Sequence, residues 1–168
     1  MADMAEMAER EAVAPVRRTV TVRCSQDHAF RVFTERMGSW WPLDQYSRAV
    51  DQGADVGITA VDVRVEGREG GAIVELTSDG AELSWGEVLA WEPPDRVVYA
   101  WKPHGRPTPP TELEVTFTAA GDGTRVDLEH RGWELLGDDG PRGREQYAQG
   151  WPIVLERFAG LAGSDAQA

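Results

Sequence analysis

The sequence holds one cysteine, Cys24, in 168 residues. A disulfide framework within the chain is thereby excluded, and a lone thiol fits a reducing cytoplasm, the location expected here. No apolar run approaches the roughly 20 residues of a membrane span, and the start lacks the apolar stretch of a secretion signal. Basic charge is short as well: 17 Lys and Arg against 29 Asp and Glu leave a net charge of −12. Such a balance argues against nucleic acid as a partner, since phosphates demand cations, and against anionic membranes. Three scattered histidines, His28, His104 and His130, make no metal-ligand spacing with one cysteine, so neither a metal nor another cofactor is expected. No G-x-S-x-G elbow occurs, and no P-loop or G-x-G-x-x-G turn leads into a helix. Gly67, Gly70 and Gly71 read as turn residues of a hairpin. A dedicated catalytic set is therefore not expected.

What is plentiful is tryptophan, with seven against three tyrosines and four phenylalanines. Indoles carry the largest apolar area of any side chain, and they line pockets or interfaces as readily as they fill cores. Two of the chain's largest aromatics sit in its last long segment, which reads as an amphipathic helix over Pro141–Ala162. Asp138, Asp139 and Gly140 lead into Pro141, whose missing N–H costs nothing in a first helical turn. Gly163 is the expected stop. Tyr147, Trp151, Val154, Leu155, Phe158, Leu161 and Ala162 share one stripe at about 100° per residue, with Glu145, Gln149 and Glu156 opposite. Pro152 interrupts the pattern and is expected to bend or loosen the helix.

Ahead of that helix the period is mostly two. Met1–Pro15 is an acidic tail without an evident role, expected to be disordered like residues 164–168. Arg17–Cys24 alternates as a half-buried strand. Ser25 is an N-cap for a helix with Phe30, Phe33 and Met37 on one face, and Gly38 is expected to end it. Trp40-Trp41-Pro42 makes a short turn, and Leu43–Val56 reads as loop with at most one helical turn. From Gly57 onward come six strands: Val61 to Val65, Ala72–Thr77, Glu82–Glu92, Arg96–Lys102, Glu112–Thr118 and Thr124–Arg131. Short turns such as Ser78-Asp79-Gly80 and Gly121-Asp122-Gly123 join them, while Pro103–Pro110 is a proline-rich loop. Short connections between consecutive strands imply an antiparallel meander. The expected class is α+β, a curved antiparallel sheet wrapped around the long C-terminal helix, with residues 16–163 as one domain.

The ordered combination of Gly70-Gly71, Glu75, Asp79-Gly80, Trp85-Gly86-Glu87-Val88, Trp91-Glu92-Pro93-Pro94-Asp95-Arg96, Trp101, Glu112–Phe117, Gly123-Thr124-Arg125-Val126, His130-Arg131-Gly132-Trp133 and Gly150-Trp151 resembles bacterial homologues of the heat-shock-protein ATPase activator. That family lies in the START-like, or helix-grip (SRPBCC), superfamily. The resemblance implies a helix-grip fold with two short helices after the first strand. It does not fix an activity, because the superfamily holds lipid carriers, hormone receptors and aromatase/cyclases.

In a helix-grip arrangement the aromatics Trp40, Trp41, Trp85, Tyr99, Trp101, Trp133, Tyr147, Trp151 and Phe158 are expected to converge between sheet and helix. The leading expectation is a cavity there, binding a small hydrophobic or aromatic molecule, with Trp40-Trp41 at its rim. A fully filled core is the plain alternative. His130 falls where the alternation calls for an apolar residue; it either contacts a ligand or is a core histidine bonded to a neighbour. Glu75 is either the acidic wall of the cavity or an outward, solvated glutamate. Glu87 shares its strand face with Trp85, although Gly86 is placed to shift the alternation. A second reading is a cyclase- or hydrolase-like enzyme with His130 and Glu75 as acid and base, which requires the two to meet. A third is a chaperone-activator role, which requires an exposed apolar patch. The free edge of an open sheet also leaves room for a homodimer.

Overall fold

The computed structural model describes residues 13–48, 57–103 and 108–165. Along them run strand β1 (Val16–Val22), helices α1 (Gln26–Glu35) and α2 (Met37–Trp40), and strands β2 (Ala60–Val65), β3 (Ala72–Thr77), β4 (Glu82–Glu92), β5 (Arg96–Trp101), β6 (Thr111–Ala120) and β7 (Gly123–Arg131). A 3-10 segment, Trp133–Asp139, then leads into helix α3 (Gly140–Asp165). The expected tail falls outside the described residues through position 12, as do 49–56 and 104–107 of the two expected loops and 166–168 at the end.

All seven strands form one antiparallel sheet in the order β1-β7-β6-β5-β4-β3-β2. The meander of β2 to β7 follows from its short turns, and β1 alone is out of sequence order, lying beside β7. The sheet curves into a half-barrel around α3, with α1 and α2 carrying the chain from β1 to β2. Curvature comes from irregularities in pairing, at Ala60/Asp62 in β2–β3, Ile73/Val74 in β3–β4 and Val88/Ala90 in β4–β5. The sharpest involves Gly86, at φ +145°, where an added Cβ would lie 1.8 Å from the Ala100 carbonyl oxygen. Only glycine fits so close an approach at that φ. The irregularity turns Trp85 and Val88 both into the core and leaves Glu87 exposed. For the same kind of reason Val61 is exposed, although simple alternation groups it with Val63.

Ser25 does cap α1, its hydroxyl accepting from the His28 N–H at 3.1 Å. Gly38, however, does not end that helix. α1 stops at Glu35, and Gly38 lies inside α2. A Cβ at Gly38 would fall 1.9 Å from Asp62 Oδ1, so the glycine serves a close approach to β2. Gly163 likewise lies inside α3 and keeps helical backbone, so the helix runs on to Asp165. The strand expected at Arg17–Cys24 sits one residue earlier and ends at Val22.

α3 buries Trp151, Val154, Leu155, Phe158 and Ala162, as the stripe predicts, with Tyr147 and Leu161 half-buried. Pro152 stands inside the helix on its exposed side without ending it. A proline has no N–H for the carbonyl four residues back, here that of Ala148. That carbonyl is taken by Arg18, whose Nη2 donates to it at 2.8 Å. Arg18 occupies an inward position of β1 between Val16 and Val20. Its guanidinium thus replaces the missing helical bond and ties the first strand to the last helix. Arg157 adds a second tie, donating through Nε to the Trp40 carbonyl at 2.9 Å.

Arg18→Met is expected to cost about 1–3 kcal/mol by orphaning a partly buried carbonyl. In a Pro152→Ala background, whose restored N–H reaches Ala148, the same change is expected to cost markedly less. Urea denaturation of the four proteins measures the difference, and equal costs in both backgrounds would refute the link.

Candidate functional site

The interior between sheet and α3 is built from the inward residues of β3 to β7 and the buried stripe of α3. β5 contributes Tyr99 and Trp101, β4 contributes Trp85, β7 contributes His130, and α2 with the residue after it contributes Trp40 and Trp41. Four indoles meet at the centre. Trp41 lies with ring centroids 5.3 Å from Trp85, 5.5 Å from Trp101 and 5.8 Å from Trp151. Trp101 in turn lies 5.5 Å from Trp85 and 6.0 Å from Trp151, and Tyr99 stacks on it at 6.1 Å. Phe158 joins through Trp40 at 5.4 Å, and Trp40 touches Trp41 at 6.1 Å. His130, Trp133 and Tyr147 form the other end, where the imidazole lies 4.2 Å from Trp133, 4.6 Å from Tyr147 and 5.9 Å from Trp151. Glu75 meets this network at Trp85. All eleven residues singled out from the sequence therefore join one continuous cluster, and all but the half-buried Tyr147 are buried.

The expected hollow is another matter. Indoles crowd the space between sheet and helix, where Trp41 and Trp101 each touch the other three of the central four. Open space is found beside β3, β4 and β5, in a pocket of about 550 Å³ whose lining includes Arg48, Gly71, Ser84, Trp85, Gly86 and Lys102.

His130 is fully buried, and its hydrogen bonds fix its tautomer. The Trp151 Nε1–H, which can only donate, points to Nδ1 at 3.1 Å. The ring proton therefore resides on Nε2, which donates to Thr111 Oγ1 at 2.7 Å. The Thr111 hydroxyl passes its own hydrogen to the Trp101 carbonyl at 3.1 Å. Burial holds the imidazole neutral, its pKa pushed down to about 3. This is the core-histidine arrangement, with both ring nitrogens committed.

Glu75 faces inward, not out to solvent. Its Oε1 accepts from Trp85 Nε1 at 2.8 Å and from the Arg48 backbone N–H at 2.7 Å. His130 and Glu75 do not meet as acid and base. The contacts joining them run through Trp151, Trp101 and Trp85. Thr111 and Arg48, which hold the two polar groups, escaped the sequence reading because each sits at the edge of a loop without periodicity. Among the described residues no group of three His, Cys, Asp or Glu side chains is placed to hold a metal.

Of the six buried tryptophans, five have a paired N–H. Trp40 donates to the Val32 carbonyl, Trp41 to that of Tyr46, Trp133 to that of His130, Trp85 to Glu75 and Trp151 to His130. Trp101 Nε1 has no partner, and neither has the hydroxyl of Tyr99 stacked beside it. Burial drives the Tyr99 phenol far above its ordinary pKa, so it stays protonated.

A curved antiparallel sheet closed over one long helix, with an aromatic interior and two unpaired polar groups inside it, defines a helix-grip protein. The chain belongs to the family described as activator of Hsp90 ATPase homolog 1-like protein, whose model matches residues 23–163. Among solved structures, the self-sacrificing resistance protein CalC from Micromonospora echinospora is 30% identical, with a TM-score of 0.63 over 90% of this chain and 95% of that one. The anthrahydroquino-γ-pyrone synthase Txn09 is 29% identical, with a TM-score of 0.57 over 89% of this chain and 97% of that one. The Aha1 dimer from Colwellia psychrerythraea shares the fold at 14% identity, with a TM-score of 0.60 over 90% of this chain and 97% of that one. No curated protein matches the chain. Among the described residues no helix is long and apolar enough to cross a membrane.

A histidine kept neutral in the fold but charged when unfolded makes stability depend on pH. Between about pH 6.5 and the folded value near 3, the unfolded chain binds the extra proton. Stability is therefore fully present above that window and falls as pH drops through it. From pH 7.5 to 5.0 the expected loss is about 2 kcal/mol, at up to about 1.4 kcal/mol per unit. Denaturant unfolding at the two values, compared with a His130→Gln variant in which this slope is absent, provides the check.

Proposed function

We propose that the protein binds a small, flat aromatic molecule carrying an acceptor oxygen in the interior between sheet and α3, with Trp41 as the side chain that moves to admit it. The observation that carries this reading is the pair of unpartnered polar groups, Tyr99 Oη and Trp101 Nε1, in an interior whose other indole N–H groups are paired. A buried donor without an acceptor costs about 1–3 kcal/mol, and a ligand oxygen between the two would recover it. Aromatic walls favour a planar ring system, by area and by edge-to-face contact. Trp41 is the candidate gate because it lies after the short α2 rather than on the sheet, yet touches Trp85, Trp101 and Trp151. One relative in this fold, at 29% identity, is a synthase of an anthrahydroquino-γ-pyrone, a flat aromatic product, which supports the same chemistry.

Acid–base catalysis by His130 and Glu75 lacks support, since neutral His130 has no free nitrogen and three indoles intervene. A chaperone-activator role draws on the family alone. The exposed large apolar side chains Tyr46, Val61, Leu89, Leu135 and Ile153 are spread over separate elements. Pairing of two copies, as in the Aha1 dimer of the same fold, is a further proposal without a specific contact here.

Tyr99→Phe separates the two uses of the hydroxyl. The free variant is expected to gain about 1 kcal/mol of stability by losing an unsatisfied group, while binding of hydroxyanthraquinones, followed by tryptophan emission, weakens about tenfold. Loss of stability with unchanged binding would contradict the proposal. Trp41→Ala is expected to cost about 3–5 kcal/mol and to leave a cavity. The same ligands should then raise its melting temperature more than they raise that of the parent protein, and calorimetry with and without ligand measures this.

A further inference from the structure

The open pocket beside β3, β4 and β5 shares Trp85 with the aromatic interior and is otherwise lined by other residues. Its strand residues Ala72, Ser84, Glu87 and Ala100, with Lys102 after β5, are exposed or half-buried, whereas Ile73, Val88 and Trp101 beside them are buried, and Trp85 is the one buried indole that also lines the pocket. These are the positions that alternate away from the core. Gly71 and Gly86 are demanded by the backbone, since a Cβ at either would strike a carbonyl oxygen at 2.3 or 1.8 Å. Their effect is nevertheless a floor without side chains, with room for a flat group against the strands.

Charge selects what fits. In a chain of net charge −12, the described residues of this lining include two cations, Arg48 and Lys102, the latter the only lysine in the sequence. Among the described residues no carboxylate lies within ion-pair distance of either. Arg48 spends one guanidinium nitrogen on the Ser84 carbonyl at 3.2 Å, while its Nε is buried without an acceptor. A buried guanidinium N–H is among the costliest donors to leave unpaired, and a carboxylate is its best-matched acceptor. Among the described residues of the lining the one acid, Glu87, is exposed, so its charge is solvated. The volume of about 550 Å³ is that of a small-molecule site. We propose that this pocket is a second binding site, taking a small planar aryl carboxylate whose anionic group meets Arg48 and Lys102 and whose ring lies on the glycine and alanine floor. Trp85 belongs to both sites, but the two cations that define this one, Arg48 and Lys102, bond neither Tyr99 nor Trp101, so the two readings are tested separately.

The test is titration of the isotope-labelled full chain with 2-naphthoate, with neutral 2-naphthalenemethanol and acetate as controls. Amide shifts are expected at Gly70, Gly71, Gly86 and Ala100, with at least tenfold weaker binding of each control and affinity falling as salt rises. Arg48→Gln and Lys102→Gln are each expected to weaken naphthoate about five- to tenfold. Because Lys102 is the only lysine, naphthoate should also slow its acylation by acetic anhydride, read by mass spectrometry against the N-terminal amine. Should Arg48→Gln fail to fold, Lys102→Gln and the acylation experiment decide alone. Equal binding of the neutral analogue, shifts confined to the interior around Trp41 and Trp151, or unchanged affinity in the variants would each overturn the site. Response to acetate as strong as to naphthoate would overturn the part assigned to the ring.

Discussion

Six indoles packed into one dry interior bring six N–H groups that water cannot reach, and the protein is arranged around finding acceptors for them. A backbone carbonyl, a carboxylate or an imidazole is delivered to five of the six at hydrogen-bonding distance, which constrains elements far apart in sequence. The carbonyl of Val32 on α1 serves Trp40, and that of Tyr46 serves Trp41. Glu75 on β3 is drawn inward by Trp85 on β4. His130 serves two at once, its ring accepting from Trp151 on α3 and its carbonyl from Trp133. Polar groups in this core thus follow from the aromatic ones. The two left unpaired become conspicuous because everything around them is matched.

The architecture was legible because its signals are local and repeated. Alternation in β5 to β7, the Asp-Gly turns and the apolar stripe of α3 each specify one element, and short connections then leave few ways to arrange them. The likeness running from Gly70-Gly71 to Gly150-Trp151 added the same answer. The aromatic convergence was equally readable, since inward positions on strands and helix are set by period alone. Gly38 and Gly163 misled, as glycine before or after a helix can mean a cap or a close contact. At Gly38 the contact with Asp62 decides, and no local pattern contains it.

Whether a curved sheet leaves a hollow is a question of volume, and alternation says nothing about volume. Trp41 bears on it here, packing against Trp85, Trp101 and Trp151 from a turn whose path no periodicity predicts. The partners of His130 and Glu75 were hidden for a related reason. Thr111 begins β6 after a proline-rich loop, and Arg48 lies in a stretch without period, so both are brought to the site by tertiary structure. Arg18 is a milder case. A charged residue at an inward strand position looks like a flaw in the pattern until the proline opposite it in α3 is considered.

The place of β1 has a consequence for how the molecule is made. Its partner is β7, so Val16 pairs with His130 and Val22 with Thr124. During synthesis β1 leaves the ribosome well before the strand beside it, with five other strands made in between. Throughout that interval its backbone groups and apolar face lack their native neighbour. Sheets closed by such distant pairings have high contact order and fold slowly. In the waiting chain, the unpaired β1 is the segment most exposed to capture by a neighbouring nascent protein.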